Sequence, residues 1–401
     1  MKFIVFIGLV TTGCINQLGG AFKYPPDHMQ TGLSASAQKL LVQSQRDLTT
    51  TAIRDVHTHV VGLGTGNSGA FIHEDMQSLL HPMRRFRFAV YMSAAGVANL
   101  AQADDAYMAR LVELVRNTGH QGKYYLLAFD KHYNRDGNVD LTQTEFYTPN
   151  EYVFALAEKY PDYFIPAISV HPYRPDAISE LEKWAKKGAR LIKWLPSAMG
   201  IDPADERCDP FYQKVKELNM VILTHAGEEK AVEAENAQAL GNPLLLRKPL
   251  DMGLKIVVAH CASLGYDIDF DDPKKPLVPS FELFLRLMDT PKYQGLLFGE
   301  LSATIQRNRM HVLETLLERK DLHSRLVNGS DYPLPAVNSL IRTGKLMDAG
   351  FLSSEERDAI NEIYSYNPLL FDFVLKRTLK SPKTGAQFSP DIFVSNANLG
   401  L

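Results

Sequence analysis

Eight short apolar runs recur along the chain, at residues 52–60, 124–129, 164–170, 189–195, 220–224, 255–259, 295–301 and 325–328, each set off by turn residues. Between and after them the spacing predicts helices near residues 82–94, 104–117, 149–159, 175–187, 210–218, 243–252, 280–288 and 309–320, with two more at 353–364 and 368–379. Strands that are apolar throughout must be covered on both faces, and strands separated by helices run parallel. Eight such units suit an α/β fold of the closed (β/α)8 barrel type better than an open doubly wound sheet. Gly64-Thr-Gly66-Asn-Ser-Gly69 follows the first run in the form Gly-x-Gly-x-x-Gly, but the next predicted helix begins only near residue 82, so the motif does not open a helix as a dinucleotide-binding version of the open sheet requires.

The 401 residues, 45% hydrophobic and 22% charged, suffice for a large core. A net charge of −3 without a local Lys/Arg run leaves no basic field for nucleic acid. The start of the chain, Met1-Lys2, then an apolar stretch over 3–10, then Thr-Thr-Gly-Cys ending at Cys14, has the form of an export signal and is too short to span a bilayer. The Gly13-Cys14 junction resembles the lipobox of bacterial lipoproteins, although Thr11 stands where Leu is usual. A lipoprotein anchored at Cys14, a plain secreted protein and an uncleaved buried N-terminus all stay open, and the expected location is periplasmic or membrane-anchored. Residues 1–22 are therefore assigned to signal and tether, 23–380 to the barrel with its extra C-terminal helices, and 381–401 to an irregular tail. Cys208 and Cys261 are too few for a disulfide framework.

In a barrel of this kind chemistry sits at the C-terminal ends of the strands. Those ends hold His57 and His59 in the first run, Lys193 in the fourth, His225 in the fifth, His260 in the sixth and Asp331 after the eighth. Strand alternation puts Asp55, His57 and His59 on one face. Each residue taken singly has a structural reading: a hydrogen-bonded core histidine for His225 or His260, a turn or cap residue for Asp331, a snorkelling side chain for Lys193. Scattered residues would not collect at the same end of successive strands, and the joint placement predicts a centre for one or two divalent ions. Zinc leads by ligand chemistry, with manganese, cobalt or iron as alternatives.

The motifs Asp55-Val-His57-Thr-His59, Ile192-Lys193, Thr224-His225-Ala-Gly, Val258-Ala-His260-Cys and Gly329-Ser-Asp331-Tyr-Pro resemble those of the metal-dependent amidohydrolase superfamily, in its broad amidohydrolase-type branch, as does the later Tyr-Asn-Pro at 366–368. The resemblance implies that His57 and His59 bind the more buried metal with Asp331, and that Lys193, carboxylated in binuclear members, completes a second site with His225 and His260. In mononuclear members the metal takes His57, His59, His225 and Asp331, with His260 as an acid or electrostatic partner. Asp331 and His260 are the implied catalytic residues.

The expected activity is a metal-dependent hydrolase that uses a metal-activated water on an amide, lactone, other ester or phosphoester bond of a small molecule. A mononuclear decarboxylase or other lyase of the same superfamily is the alternative, and a non-catalytic metal-binding envelope lipoprotein a third. His171, Arg174 and Glu300, near the ends of the third and seventh runs, are candidates for substrate contact. The loops at 62–81 and 133–148 are expected to decide specificity. Glu228 and Glu229 read as solvated carboxylates, and Trp194 and Tyr332 as core.

Overall fold

A computed structural model describes residues 19–20, 23–232 and 235–401. The export segment expected over 1–22, with Cys14, falls outside the described residues apart from Gly19 and Gly20.

The alternation is present in the structure. Its strands are β1 (Arg54–His59), β2 (Lys123–Leu127), β3 (Phe164–Ala167), β4 (Leu191–Trp194), β5 (Val221–His225), β6 (Lys255–Ala259), β7 (Leu297–Glu300) and β8 (Leu326–Val327). All pair in parallel with their neighbours. They do not form one continuous closed ladder, as a barrel leads one to expect. β1–β2–β3 make one sheet and β4–β5–β6–β7–β8 another. Isolated parallel bridges span the two seams, Ile168 to Ile192 and Thr58 to Tyr332.

Each seam has a local cause. On β3, Tyr163 and Ala167 accept from β2, while Ile168 bonds to Leu191 and Lys193 of β4. By the same alternation Pro166 faces β4, and its ring leaves no N–H to donate there. At the other seam β8 has only two residues before the chain turns at Asp331, whose φ is +59°. Hydrogen bonds still cross it, from Val56 N to Asn328 O at 3.0 Å, Asp331 N to His57 O at 2.7 Å and His59 N to Tyr332 O at 3.1 Å.

The helices cover the outside. In Ala177–Lys186, residues Ala177, Leu181 and Trp184 fall at helical spacing on one buried stripe, worth roughly 2–3 kcal/mol for each large side chain. Ser353 and Glu356 close a capping box at the start of Ser354–Tyr364. Asn367 caps Pro368–Thr378 by accepting from Leu369 N and Leu370 N at 3.1 and 3.0 Å.

Inside, Val56, Tyr125, Leu191, Val221, Val257 and Phe298 form a separate apolar column. Leu399 and Leu401 join it from residues 381–401, a stretch whose one regular element is the 3-10 turn Pro390–Phe393. That stretch lies against the N-terminal ends of the strands, where Ser395 N donates to Ala52 O and Lys255 Nζ to Asn398 O. It therefore plugs the end of the barrel opposite the candidate centre. Replacing Leu399 and Leu401 together by alanine is expected to destabilise the protein by about 4 kcal/mol, read as a lower urea midpoint with metal content unchanged.

Candidate metal centre

A β-bulge aims the first two candidate ligands. The β1–β2 register pairs Asp55 with Tyr124 but Thr58 with Leu126, so one extra residue is accommodated on β1. Val56 joins the inner column and His57 also faces inward, lining the cavity beside His59. Asp55 is left on the opposite face from the two histidines, which corrects the expectation that all three point one way. From there its Oδ1 accepts from both His57 N and Ser330 N at 3.0 Å. The carboxylate thus ties the strand carrying the two histidines to the turn carrying Asp331.

The strand-end groups converge. Asp331 Oδ1 lies 3.1 Å from His59 Nε2 and 3.5 Å from His57 Nε2. The two Nε2 atoms are 3.2 Å apart, and Lys193 Nζ is 3.2 Å from His57 Nε2. His260 Nε2 stands 3.8 Å from Asp331 Oδ2. The His225 ring packs edge-on to that of His260, 5.4 Å between centroids. All six residues are on the floor of one cavity, and only His59 is more than marginally exposed.

Burial governs the charges. It lowers His57, His225 and His260 well below the usual imidazole value, with Lys193 adding to the effect on His57 and Arg309 on the other two. Burial also pushes the Lys193 ammonium down to about 8, which favours the neutral amine needed for reaction with carbon dioxide. Burial alone would raise Asp331; His57, His59 and Lys193 outweigh it and hold the carboxyl below its ordinary value. The result favours neutral imidazoles at His57, His225 and His260 around an ionised Asp331, a donor set that suits a divalent cation.

The hydrogen bonding fits that group. His57 Nδ1 lies 3.0 Å from Glu300 Oε2, and His260 Nδ1 lies 3.0 Å from Ser302 O and 2.8 Å from Ser302 Oγ. With the Nδ1 protons engaged there, both Nε2 lone pairs face the cavity. Among the described residues neither ring nitrogen of buried His225 makes a well-aligned hydrogen bond, its one close polar contact being Glu229 Oε2 at 3.2 Å from Nε2. Two clusters have ligand atoms close enough for an ion, His57–His59–Asp331 and His57–His260–Glu300. The first opens on the cavity; the second uses Nδ1–carboxylate contacts that the hydrogen bonds explain.

Backbone strain gathers at the same place. His260, Cys261 and Ala262 have φ of +56°, +51° and +48°, Ala303 +57° and Asp331 +59°. Side chains other than glycine pay for this conformation, and it concentrates where a site must be aimed.

With this geometry in view, comparison with known proteins is decisive at the level of family. A family model described as Amidohydrolase matches residues 55–367. The chain belongs to this family. Membership supports an enzyme and implies a divalent metal. A search of curated proteins gives no match. An uncharacterised TIM-barrel protein from Bordetella bronchiseptica is similar in structure at 16% identity and TM-score 0.50, covering 78% of this chain and 94% of its own. A probable 2-pyrone-4,6-dicarboxylic acid hydrolase from Acinetobacter baumannii is 13% identical at TM-score 0.46, covering 79% and 96%. A 5-carboxyvanillate decarboxylase from Sphingomonas paucimobilis is 14% identical at TM-score 0.42, covering 72% and 92%.

In this amidohydrolase three expected substrate contacts are elsewhere. His171 is wholly buried, its Nε2 2.8 Å from Met199 O and its Nδ1 accepting from Tyr173 N. Arg174 pairs with Asp130 and Asp176. Glu300 is wholly buried behind His57, and its carboxylate also accepts from Ser302 N and Ser302 Oγ. None of the three lines the cavity, whose mouth is built from more distant loop segments.

Those segments hold what the sequence reading passed over. Glu229, expected in solvent, is buried with Oε2 3.2 Å from His225 Nε2. Arg309 and Gln306, on the connection after β7, line the cavity. Ser302, two residues past Glu300, carried a faint signal through its place at a strand end. The expectation for the two loops agrees better with the structure, for Ile72, Met76 and Phe146 from them form cavity wall.

Two predictions follow from this shell. Glu300→Gln is expected to weaken zinc binding by about 10- to 100-fold in a chelator-competition titration, since His57 loses its anionic anchor. In the metal-free protein the depressed histidines are neutral when folded and titrate near 6.5 when unfolded. Their contribution to stability is therefore complete above about pH 6.5 and lost as pH falls toward the lower folded values. Urea midpoints of chelator-treated protein are expected to drop between about pH 7 and 5, and more steeply than in a His225→Asn variant.

Proposed function

We propose that the chain is a metal-dependent hydrolase acting on an amide, lactone, other ester or phosphoester bond of a small molecule. The observation that carries this is the contact of Asp331 Oδ1 with both His59 Nε2 and His57 Nε2, at 3.1 and 3.5 Å, on the floor of a cavity of about 1250 Å³ including its open mouth. His57, His59 and Asp331 would hold one ion, and Lys193, His225 and His260 a second. A bound divalent ion supplies Lewis acidity and brings the pKa of water towards about 7.

The chain's own groups do the rest. Ionised Asp331 is placed to accept a proton from the attacking water and return it to the leaving group. His260, held through Nδ1 by Ser302, presents Nε2 to the same space, as a ligand where two ions are held and as a proton donor or acceptor where only one is. Glu300 keeps His57 in one tautomer throughout. Apolar walls of Ile72, Met76, Phe88 and Phe146 limit the water that reaches these groups.

A mononuclear lyase is the second reading: the compact His57–His59–Asp331 cluster would hold a single ion, with His225, which lines the same cavity, as the fourth group that reading needs. Two ions per chain with a carbamate on Lys193 support the hydrolase; one ion and a free lysine support the lyase. Export, with or without lipid at Cys14, belongs to this proposal as the setting in which the enzyme works.

His57→Ala is expected to lose most bound metal. Asp331→Asn should lower kcat by about 10²- to 10⁴-fold in a screen of lactones, N-acyl amino acids, phosphoesters and aromatic acids. Full activity in both variants would overturn the proposal.

A further inference from the structure

Arg309 has no role in the chemistry above, yet it is built into the same cavity. It is 6% exposed and lines the cavity near its floor. A guanidinium carries five N–H donors. Among the described residues one hydrogen bond is made, from Nη1 to Ser263 Oγ at 3.3 Å, and buried Nε has no partner there. Among the described residues no carboxylate forms an ion pair with it, whereas Arg174 and Arg286 each hold two. Glu229 and Asp331 act on it only from a distance, and burial lowers its pKa without removing its charge.

A buried cation left this way is costly, and removing the cost takes an anion with oxygen acceptors. Ile72, Met76, Phe88, Phe129 and Phe146 line the same cavity as Arg309. We propose that Arg309 is an anion-binding subsite that receives a single carboxylate carried on an apolar body. The inference rests on the preceding reading of the cavity as the substrate site and adds the class of molecule it admits. A planar monoanion matches the guanidinium fork in shape and charge. A phosphoryl dianion would leave surplus negative charge in a cavity that already holds Glu229 and Asp331.

The test titrates zinc-loaded protein calorimetrically with benzoate, phenylphosphonate and benzamide, in wild type and Arg309→Gln. Benzoate is expected to bind wild type about 10- to 100-fold more tightly than benzamide, and Arg309→Gln to erase that preference while leaving zinc content and benzamide affinity unchanged. Equal benzoate affinity in the two proteins would mean that the carboxylate sits on the metal and would overturn the subsite. An Arg309-dependent preference for phenylphosphonate would overturn the carboxylate assignment. Should the variant not fold, wild-type crystals soaked with 4-bromobenzoate decide: a carboxylate on the Arg309 guanidinium supports the subsite, and one elsewhere, or none, overturns it. Failure to take up metal would sink the proposed hydrolase, and the same titration of metal-free protein would still decide the role of Arg309.

Discussion

The candidate centre depends on one buried carboxylate at the seam where the barrel's two ends meet. β8 is two residues long, and beyond it Asp331 must meet His57 and His59 across the join between the first and last strands. Asp55 makes that join by accepting from a backbone N–H on each side. Its pKa is raised to about 6 by burial, an effect that these hydrogen bonds and the charge of Lys376 partly offset. Lys376, itself wholly buried, donates at 2.6 Å to both Gly329 O and Asp372 Oδ2. Helix Pro368–Thr378 therefore reaches through the wall to hold the Gly-Ser-Asp turn from behind. Removing one member of such a group leaves another buried charge uncompensated, a loss of about 3–5 kcal/mol.

The strand order, the helix positions and the six groups at the floor were legible because each depends on local periodicity or on a residue type at a strand end. Helices Pro82–Ala94 and Ser280–Met288 have the bounds their spacing predicts. What was not legible depends on register and loop path. Nothing in the alternation of Asp55, His57 and His59 signals an inserted residue, since Val56 suits either face. Pro166 was visible as a proline, but which neighbour it faces is a property of the folded sheet. Glu229 is an ordinary loop residue in sequence and Arg309 the first residue of a predicted helix, and only the return of their segments over the mouth takes them out of water. His171, Arg174 and Glu300 were drawn toward the substrate by their nearness to strand ends, a rule that gives the level of a residue in the barrel but not its direction.

The two ends of the barrel divide the labour. At the N-terminal end, interior leucines from residues 381–401 complete an apolar column. At the other end, imidazoles, carboxylates and two buried cations share the floor beneath apolar walls. Low polarity around that floor strengthens every charge interaction on it and keeps the histidines neutral. Hydrophobic packing at one end thus sustains electrostatics at the other.

The three successive left-handed residues His260, Cys261 and Ala262 carry an evolutionary consequence. Glycine would adopt that backbone without penalty, so the turn forgoes stability that a simple codon change could recover. Retaining bulkier residues there makes the imidazole's direction rigid, and Cys261 fills the space beside Gly299, where an added methyl group would meet its sulfur at 2.8 Å. Variants selected for heat resistance alone should drift toward glycine at Cys261 and Ala262, and would trade a fixed aim for a slacker hinge.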